Sequence, residues 1–272
     1  MTSYAFVLGV IGLAIALSVV MTLAWCVEQR TRNSGWIDTI WTFGLGVIGA
    51  GSALFATPGG GSLTARQWLV AAVIAIWSVR LGTHIALRSA RRADDPRYAE
   101  LRAGWGGDAR WQMWLLLQKQ AIVTLPMSVS IWLAAHNPAP ELRLQDYIAL
   151  IVVLVAIAGE ALADWQLQSF VRKNGNHSIC DIGLWRLSRH PNYFFEWLAW
   201  LAYPLIAIDL SGAYPFGWLA LAGPACMYWL LVYVSGIPPL EQHMLRTRGD
   251  AFRQYQLRTN AFFPLPPSVM KA

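Results

Sequence analysis

The segment Gly183 to Glu196 holds the densest group of residues in the chain that could bind a charged ligand. Its basic residues are Arg186, Arg189 and His190. Pro191 follows them and suits the first turn of a helix, where its missing N–H loses no hydrogen bond. The free N–H groups and the dipole of a helix N-terminus attract anions, and arginine binds phosphate through two parallel N–H bonds. The pattern therefore predicts a phosphate or carboxylate site, and the alternative is a positively charged membrane anchor.

Further polar residues recur four positions apart within apolar stretches, so each set lies on one face of a helix. The sets are Arg80, His84 and Arg88; Glu160, Asp164 and Gln168; and Asn192 and Glu196. A charge at membrane depth costs several kcal/mol and usually faces the bundle interior or a wet cavity. With Asp38, in the first turn of another apolar stretch, the sets are predicted to line one cavity open to the cytosol. Taken singly, each residue is equally well explained as a structural ion pair or an interfacial residue.

The elements that would position these residues are membrane helices. Of the 272 residues 56% are hydrophobic and 13% are charged, whereas a soluble domain carries about 25% charged residues. A bilayer requires roughly 20 apolar residues per helix. Seven windows satisfy this length: 4–27, 36–56, 67–87, 112–135, 146–167, 191–208 and 214–235. The sequence therefore predicts an all-α, multi-pass integral membrane protein with about seven transmembrane helices, forming a single domain over residues 1–272.

The distribution of the 21 basic residues predicts the orientation. Seventeen fall in alternate connections and the C-terminal tail, whereas only Arg66 and Arg143 fall on the opposite side. Because Lys and Arg concentrate in cytoplasmic loops, the N-terminus is predicted outside and the C-terminus in the cytoplasm. The same bias explains most of the net charge of +6 without a nucleic acid partner. The three cysteines show no metal-ligand spacing, so no metal site is predicted.

Two connections differ in character. The segment from Arg88 to Arg110 mixes charges of both signs and predicts a solvated surface stretch or a short amphipathic helix. The segment from Gln168 to His190 and the tail after Gly236 combine basic residues with Tyr, Trp, Asn and Gly. That composition is typical of a binding surface rather than of a linker.

Several of these motifs together are familiar. R-H-P-N-Y-F-F-E ends at Glu196, N-S-G-W-I-D-T-I-W covers Asn33 to Trp41, and E-A-L-A-D-W-Q covers Glu160 to Gln166. S-G-I-P-P-L-E and the tail from Gly249 to Pro264 complete the pattern. The chain, most strongly over residues 33–267, resembles a bacterial family of membrane proteins grouped with the C-terminal domain of steroid 5-alpha-reductases. If the source is bacterial, the expected location is the inner membrane.

The resemblance implies a seven-helix reductase that uses NADPH to saturate a carbon–carbon double bond conjugated to a ketone in a steroid or other lipid. The cofactor-binding residues that it implies are Glu160, Asp164, Arg172, Arg186, Arg189, His190, Asn192, Glu196, Tyr255 and Arg258. For catalysis, Asp38 is the acidic candidate, and His84 or Tyr193 would supply the proton. Phe195 stands where the family pattern usually has glycine, which predicts restricted backbone access beside Asn192 and Glu196.

Two other functions are compatible with parts of the pattern. Membrane methyltransferases acting on isoprenylcysteine or phospholipids carry a similar R-H-P-x-Y element, a later acidic residue and an aromatic tail, and they bind S-adenosylmethionine. Asn192, Glu196 and the Glu160/Asp164 pair favour the reductase over this class. A transporter or assembly factor is the third alternative. The absence of sequence repeats and the one-sided polar residues weigh against transport.

Overall fold

The computed structural model describes residues 2–55, 62–91, 94, 96–175 and 178–267. It is 81% helical, and the described residues contain no β-strand. The prediction of an all-α fold is confirmed.

The helices α1 to α11 follow one another along the chain. They are α1 Ser3–Thr31, α2 Gly35–Ala53, α3 Ala65–Ala90, α4 Pro96–Trp105, α5 Ala109–Ala135, α6 Leu144–Asn174, α7 Leu184–Leu187, α8 Pro191–Trp200, α9 Ala202–Ala207, α10 Ala222–Trp229 and α11 Ile237–Arg258. Short 3₁₀ helices cover Gly106–Asp108 and Pro215–Leu221, and a π-helical turn covers Leu230–Val234. Helix α11 is kinked at Gly249, whose φ is 51°.

Four helical segments among the described residues are long and apolar enough to cross a bilayer. They are α1, α3, α6 and the continuous segment Pro215–Arg258. Each exceeds the roughly 20 residues that a 30 Å hydrocarbon layer requires. The chain therefore has the helices of a multi-pass membrane protein, and the finer count of seven spans stays a prediction.

The predicted sixth window, 191–208, is not one helix. It consists of α8 and α9, which are separated at Leu201. Pro204 lacks the N–H that would bond to the carbonyl of Trp200, so the helical hydrogen bonding is interrupted at this point. Neither helix alone has the length of a transmembrane segment.

The described residues divide into two compact units, each treated by itself below. Unit 1 comprises Met1–Arg143 with Ile206–Gly223, and unit 2 comprises Leu144–Leu205 with Pro224–Ala272.

Unit 1 is built on the packing of α2 against α3 and of α1 against α2 and α5. Its core includes the buried side chains of Leu17, Met21, Ile37, Met113 and Leu117. These residues come from α1, α2 and α5, so the apolar faces of the three helices bury one another. This packing fixes the helix that carries Asp38.

Unit 2 is built on the packing of α6 against α8. The two helices are in close contact where Gly159 faces the ring of Phe195, because a Cβ placed at position 159 would lie 2.3 Å from a ring carbon. The residues that follow, Glu160 and Glu196, are both buried. A glycine on α6 thus provides the space that the large side chain at position 195 occupies.

Candidate functional site

The start of α8 carries a buried cluster of charged and polar side chains. The guanidinium of Arg189 donates from Nε to Glu241 Oε1 at 2.7 Å and from Nη2 to Glu241 Oε2 at 3.1 Å. His190 Nε2 lies 2.9 Å from the same Oε1 atom, and Gln256 Nε2 donates to Oε2 at 2.7 Å. We call Arg189, His190, Glu241 and Gln256 the Glu241 cluster. It joins the residues before α8 to helix α11.

The remaining donors of Arg189 point at the end of α11. Its Nη1 donates to the carbonyl of Gln256 at 3.2 Å and also to the carbonyl of Thr259. The last carbonyls of a helix have no intrahelical partner and carry partial negative charge, so a guanidinium is favourable there. All three nitrogens of the Arg189 guanidinium therefore donate hydrogen bonds to groups of the protein itself, on helix α11 and at its end. These bonds give Arg189 a structural role, which is to link the segment before α8 to α11. Its contact with a cofactor stays a prediction.

His190 is buried, and this burial lowers its pKa below the ordinary value, while the hydrogen bond to Glu241 acts in the opposite direction. A lowered pKa makes the imidazole neutral near pH 7. The neutral ring can then donate from Nε2 to Glu241 Oε1. A face of the His190 ring stacks on the ring of Tyr193, with ring centroids 5.5 Å apart and an interplanar angle of 13°.

The C-terminal tail runs beside the residues that precede α8. Arg189 N donates to the carbonyl of Asn260 at 2.8 Å, and Leu265 N donates to the carbonyl of Leu187 at 3.0 Å. The hydroxyl of Ser188 donates to the carbonyl of Phe262 at 2.9 Å. These bonds satisfy the backbone of an irregular segment that would otherwise be buried without partners. The motif before α8 is therefore shaped by a stretch of chain about 70 residues further on.

Tyr255 also belongs to this arrangement. Its side chain is buried, and its hydroxyl donates to the carbonyl of Trp185 and lies 3.4 Å from that of Ser188. Trp185 in turn donates from its indole to the carbonyl of Ala163 on α6 at 2.9 Å. Tyr255 thus positions the segment before α8, and its predicted contact with a cofactor stays a prediction.

The carboxylates of α6 and α8 lie at the contact of the two helices. Glu160 and Glu196 are buried, whereas Asp164 and Asn192 are half-buried. Glu196 Oε1 accepts a hydrogen bond from the indole N–H of Trp200 at 3.2 Å, one of several interactions that this residue makes. Carboxylates buried between apolar helices are costly unless donors satisfy them. A carboxylate oxygen has more than one acceptor site and can also accept hydrogen bonds from the hydroxyl or amide N–H groups of a ligand.

The predicted basic residues of unit 2 divide into two groups. Arg189 and His190 are enclosed in the Glu241 cluster, whereas Arg172, Arg186 and Arg258 are exposed. Arg258 lies 3.7 Å from Asp181, a distance at which an exposed ion pair contributes little. The exposed group is accessible to a soluble anion and has the chemistry that a phosphate requires.

Two of the predicted catalytic residues belong to unit 1, where Asp38 lies on α2 and His84 lies on α3. Asp38 Oδ1 accepts a hydrogen bond from the hydroxyl of Tyr98 at 3.2 Å, and Tyr98 accepts one from Gln120 Nε2 at 3.1 Å. Tyr98 is buried on α4, within the stretch that the charge pattern assigned to a surface loop or short helix. His84 is exposed on α3.

Several residues that shape the site escaped the sequence analysis. Glu241 and Gln256 complete the Glu241 cluster, Tyr98 contacts Asp38, and Gln166 accepts from the backbone N–H of Leu184 at 2.9 Å. Glu241, Gln166 and Gln256 were detectable, because all three lie in the motifs quoted above. Glu241 ends S-G-I-P-P-L-E. Its partners are 51 and 52 residues away in sequence, so no local pattern connects them. No three His, Cys, Asp or Glu side chains are grouped to hold a metal ion in the part of the chain that the structure describes.

The fold and this site define a helical, multi-pass type of membrane protein with a charged cluster at the start of a helix. The chain belongs to the family described as "Protein of unknown function (DUF1295)", which matches it over residues 24–259. It is also similar to the uncharacterized protein C594.04c of the fission yeast Schizosaccharomyces pombe. The two are 24% identical over 284 residues, which cover 94% of this chain and 79% of the yeast protein. No solved structure matches the chain.

The yeast relative bears on the expectation of a bacterial origin. The resemblance noted from the motifs was to a bacterial family, whereas a similar protein occurs in a eukaryote. The comparisons therefore do not support a specifically bacterial origin or a bacterial inner membrane.

Proposed function

We propose that the chain is an NADPH-dependent membrane reductase that saturates a carbon–carbon double bond conjugated to a ketone in a steroid or other lipid. The observation that carries the proposal is the pair of buried carboxylates, Glu160 and Glu196, at the contact of α6 and α8. They belong to the same compact unit as the exposed arginines Arg172, Arg186 and Arg258. The motif resemblance to steroid 5-alpha-reductases supplies the reaction class.

The side chains of unit 2 match the chemistry of this cofactor. NADPH carries phosphates at one end and hydroxyl and carboxamide groups toward the other. Arginine forks bind phosphates, and ionised carboxylates accept hydrogen bonds from hydroxyl and amide groups. We assign the phosphates to Arg172, Arg186 and Arg258, and the hydroxyl and amide groups to Glu160 and Glu196.

The other residues predicted to contact the cofactor extend or position the proposed binding surface. Asp164 and Asn192 are half-buried one turn from Glu160 and Glu196, where they extend the same helix faces. Arg189, His190 and Tyr255 fix the segment that carries Arg186. When bound, the cofactor supplies a hydride to the β-carbon of the enone, and the protein must deliver a proton to the α-carbon.

We propose Tyr193 as the proton donor. It belongs to the same unit as the proposed cofactor residues and stacks on the neutral His190 ring. Asp38, which accepts a hydrogen bond from Tyr98, belongs to unit 1. We keep Asp38 and His84 as the other catalytic candidates. A donor near the ketone would stabilise the negative charge that develops on its oxygen.

The proposal includes a membrane topology. We propose seven transmembrane spans in a single domain, the sixth formed by α8 and α9 together. The N-terminus is proposed outside and the C-terminus in the cytoplasm, because seventeen basic residues share one predicted side. This orientation presents Arg172, Arg186 and Arg258 to the cytosol, where NADPH is found. A lipid substrate would enter from the bilayer.

A second candidate function rests on a specific observation. Arg189 and His190, the later acid Glu241 and the aromatic residue Phe262 form one interlocked region of unit 2. Those are the three parts that membrane methyltransferases share with this sequence. We therefore keep a methyltransferase that uses S-adenosylmethionine as the alternative.

Label transfer tests the reaction. The purified protein is incubated with NADPH deuterated at the transferable position and with a panel of lipid enones, and the products are analysed by mass spectrometry. The proposal expects a saturated ketone that carries one deuterium on its β-carbon, and a Glu196→Gln variant should lose this product. Methyl transfer from S-adenosylmethionine to a lipid, without deuterium transfer to any enone, would instead establish the methyltransferase.

A further inference from the structure

Unit 1 contains an open groove of about 320 Å³ at the end of α1. It is lined by Trp25, Cys26, Gln29, Arg30, Arg32 and Arg110. None of these six residues was assigned to catalysis or to cofactor binding. The groove therefore requires an explanation of its own.

The groove has a strong positive charge. Arg30, Arg32 and Arg110 contribute three guanidinium groups, and among the described residues no carboxylate lies within 4.0 Å of any of them. Two acids lie next to the groove in sequence: Glu28 is fully buried and paired with Arg102 at 2.7 Å, and Asp108 is exposed. Neither acid forms an ion pair with an arginine of the groove among the described residues.

Arg32 is held in an unfavourable backbone conformation. Its φ is 56°, and it is the only non-glycine residue with positive φ in the part of the chain that the structure describes. It ends α1, where its N–H donates to the carbonyl of Glu28 at 2.8 Å. Glycine or asparagine adopts this conformation at lower cost. An arginine at this position is thus explained by its side chain and not by its backbone.

Arg110 is also poorly placed for helix stability. It lies in the first turn of α5, where the positive end of the helix dipole disfavours a cation. Its guanidinium sits over the ring of Trp25 at 5.1 Å, and the indole N–H of Trp25 donates to the Arg110 carbonyl at 3.1 Å. Trp25 thus orients Arg110 at the groove. Two of the three arginines occupy positions that the fold alone does not favour.

The surroundings indicate the depth of the groove in the membrane. Trp111 follows Arg110, is 58% exposed and stacks on Trp114 with ring centroids 4.9 Å apart. Tryptophan concentrates at the level of the lipid headgroups. Arg30 and Arg32 belong to the connection predicted to face the cytoplasm, whose leaflet carries anionic lipids.

We propose that this groove binds the phosphate of an anionic lipid headgroup, with Arg30, Arg32 and Arg110 as the ligands. Guanidinium groups bind phosphate through paired, charge-assisted hydrogen bonds. The proposal is independent of the reductase, because all of the residues assigned to NADPH belong to unit 2.

Cys26 allows a direct measurement, because it lines the groove and is partly accessible. The full-length protein in detergent is treated with a maleimide, and the modification of Cys26 is followed by peptide mass spectrometry. Dihexanoyl phosphatidic acid is expected to slow this modification, whereas dihexanoyl phosphatidylcholine, whose choline repels the arginines, should not. Protection by inorganic phosphate at the same concentration would overturn the assignment to a lipid.

Matched variants separate binding from stability. In Arg30→Gln/Arg32→Asn the concentration of phosphatidic acid for half-protection should rise roughly tenfold or more. The control Arg88→Gln/Arg91→Gln removes two charges of unit 1 outside the groove and should leave it unchanged. Arg32→Asn alone should weaken binding while leaving the thermal midpoint equal or higher, because asparagine tolerates the backbone conformation better. Protection of the double variant equal to that of the wild type would overturn the proposal.

Discussion

Each compact unit contains a buried carboxylate that is bound by an arginine, but the arginine is shared differently in the two clusters. In unit 1 Glu28 is fully buried and accepts hydrogen bonds from its one cation, Arg102, at 2.7 Å and from the amide of Gln29 at 2.6 Å. Arg102 also pairs with Asp94, which accepts hydrogen bonds from the backbone and the hydroxyl of Ser34. We call Glu28, Asp94, Arg102 and Ser34 the Glu28 cluster. In it, the guanidinium of Arg102 is shared between the carboxylates of Glu28 and Asp94.

In the Glu241 cluster of unit 2 the arginine pairs with a single carboxylate. One carboxylate receives hydrogen bonds from a guanidinium, an imidazole and an amide. Charge is balanced by Arg189, and the further donors come from neutral groups. The cluster keeps most of its hydrogen bonds when one donor is lost.

The difference predicts where each unit is vulnerable. A buried acid that depends on one cation loses its compensation when that cation is removed, and an uncompensated buried charge is strongly destabilising. An acid with several donors loses only part of its stabilisation. The unit 1 cluster should therefore be the more sensitive to substitution of its arginine.

The largest expected effect is that of Arg102→Met. It leaves Glu28 fully buried without its cation, and we expect a loss of about 3–5 kcal/mol in the free energy of unfolding. Thermal unfolding of the detergent-purified protein measures this loss, with Arg88→Met as the control at an exposed position. A midpoint equal to that of Arg88→Met would show that Glu28 does not depend on Arg102.

The Glu241→Gln substitution should have a smaller effect. The glutamine keeps an acceptor for Arg189, whose other donors still bond to the carbonyls at the end of α11. Because one charge of a buried pair is lost, we expect about 1.5–3 kcal/mol of destabilisation. The same thermal measurement tests it. Destabilisation greater than that of Arg102→Met would reverse the comparison.

The substitutions Arg186→Gln and Arg189→Gln sharpen the comparison within unit 2. Arg186 is exposed, so its loss should weaken NADPH binding roughly tenfold and change the stability by no more than about 0.5 kcal/mol. Arg189 is enclosed, so its loss should lower the thermal midpoint. Calorimetric titration of NADPH and thermal unfolding are measured on both variants. The reverse pattern would contradict the division into binding and structural arginines.

The smallest expected effect concerns pH. Burial lowers the pKa of His190 below its ordinary value of about 6.5, so the unfolded chain binds a proton that the folded protein does not. Stability from this residue is fully present above that pH and is lost as the pH falls toward the lowered pKa. His190→Gln should therefore flatten the decline of the thermal midpoint below about pH 6.5. An unchanged pH profile would place His190 in a solvated environment.

The sequence predicted the long helices well because their signal is local. The windows 4–27 and 67–87 correspond to α1 Ser3–Thr31 and α3 Ala65–Ala90, which continue further because polar residues extend the same helix past the apolar core. The start of α8 at Pro191 was also predicted, since proline at the first helical position is a local signal.

The connections between distant residues were not predictable in this way. The charge pattern assigned Tyr98 and Arg102 to a solvated stretch or a short helix. The helix is present, but it buries Tyr98 and pairs Arg102 with Glu28, which is 74 positions away. Arg189 was predicted to bind an anion, and Glu241 fills that role from within the chain. Sequence reasoning recognised the chemistry of these residues but not their partners.

The central claim is that unit 2 binds NADPH, and equilibrium binding tests it most directly. NADPH and S-adenosylmethionine are titrated side by side into the detergent-purified protein and its Glu196→Gln variant by calorimetry. The account predicts that NADPH binds the wild type, that the variant binds it roughly tenfold more weakly, and that S-adenosylmethionine does not bind. Binding of S-adenosylmethionine alone would contradict the reaction class, and binding of neither would favour a transporter or assembly factor.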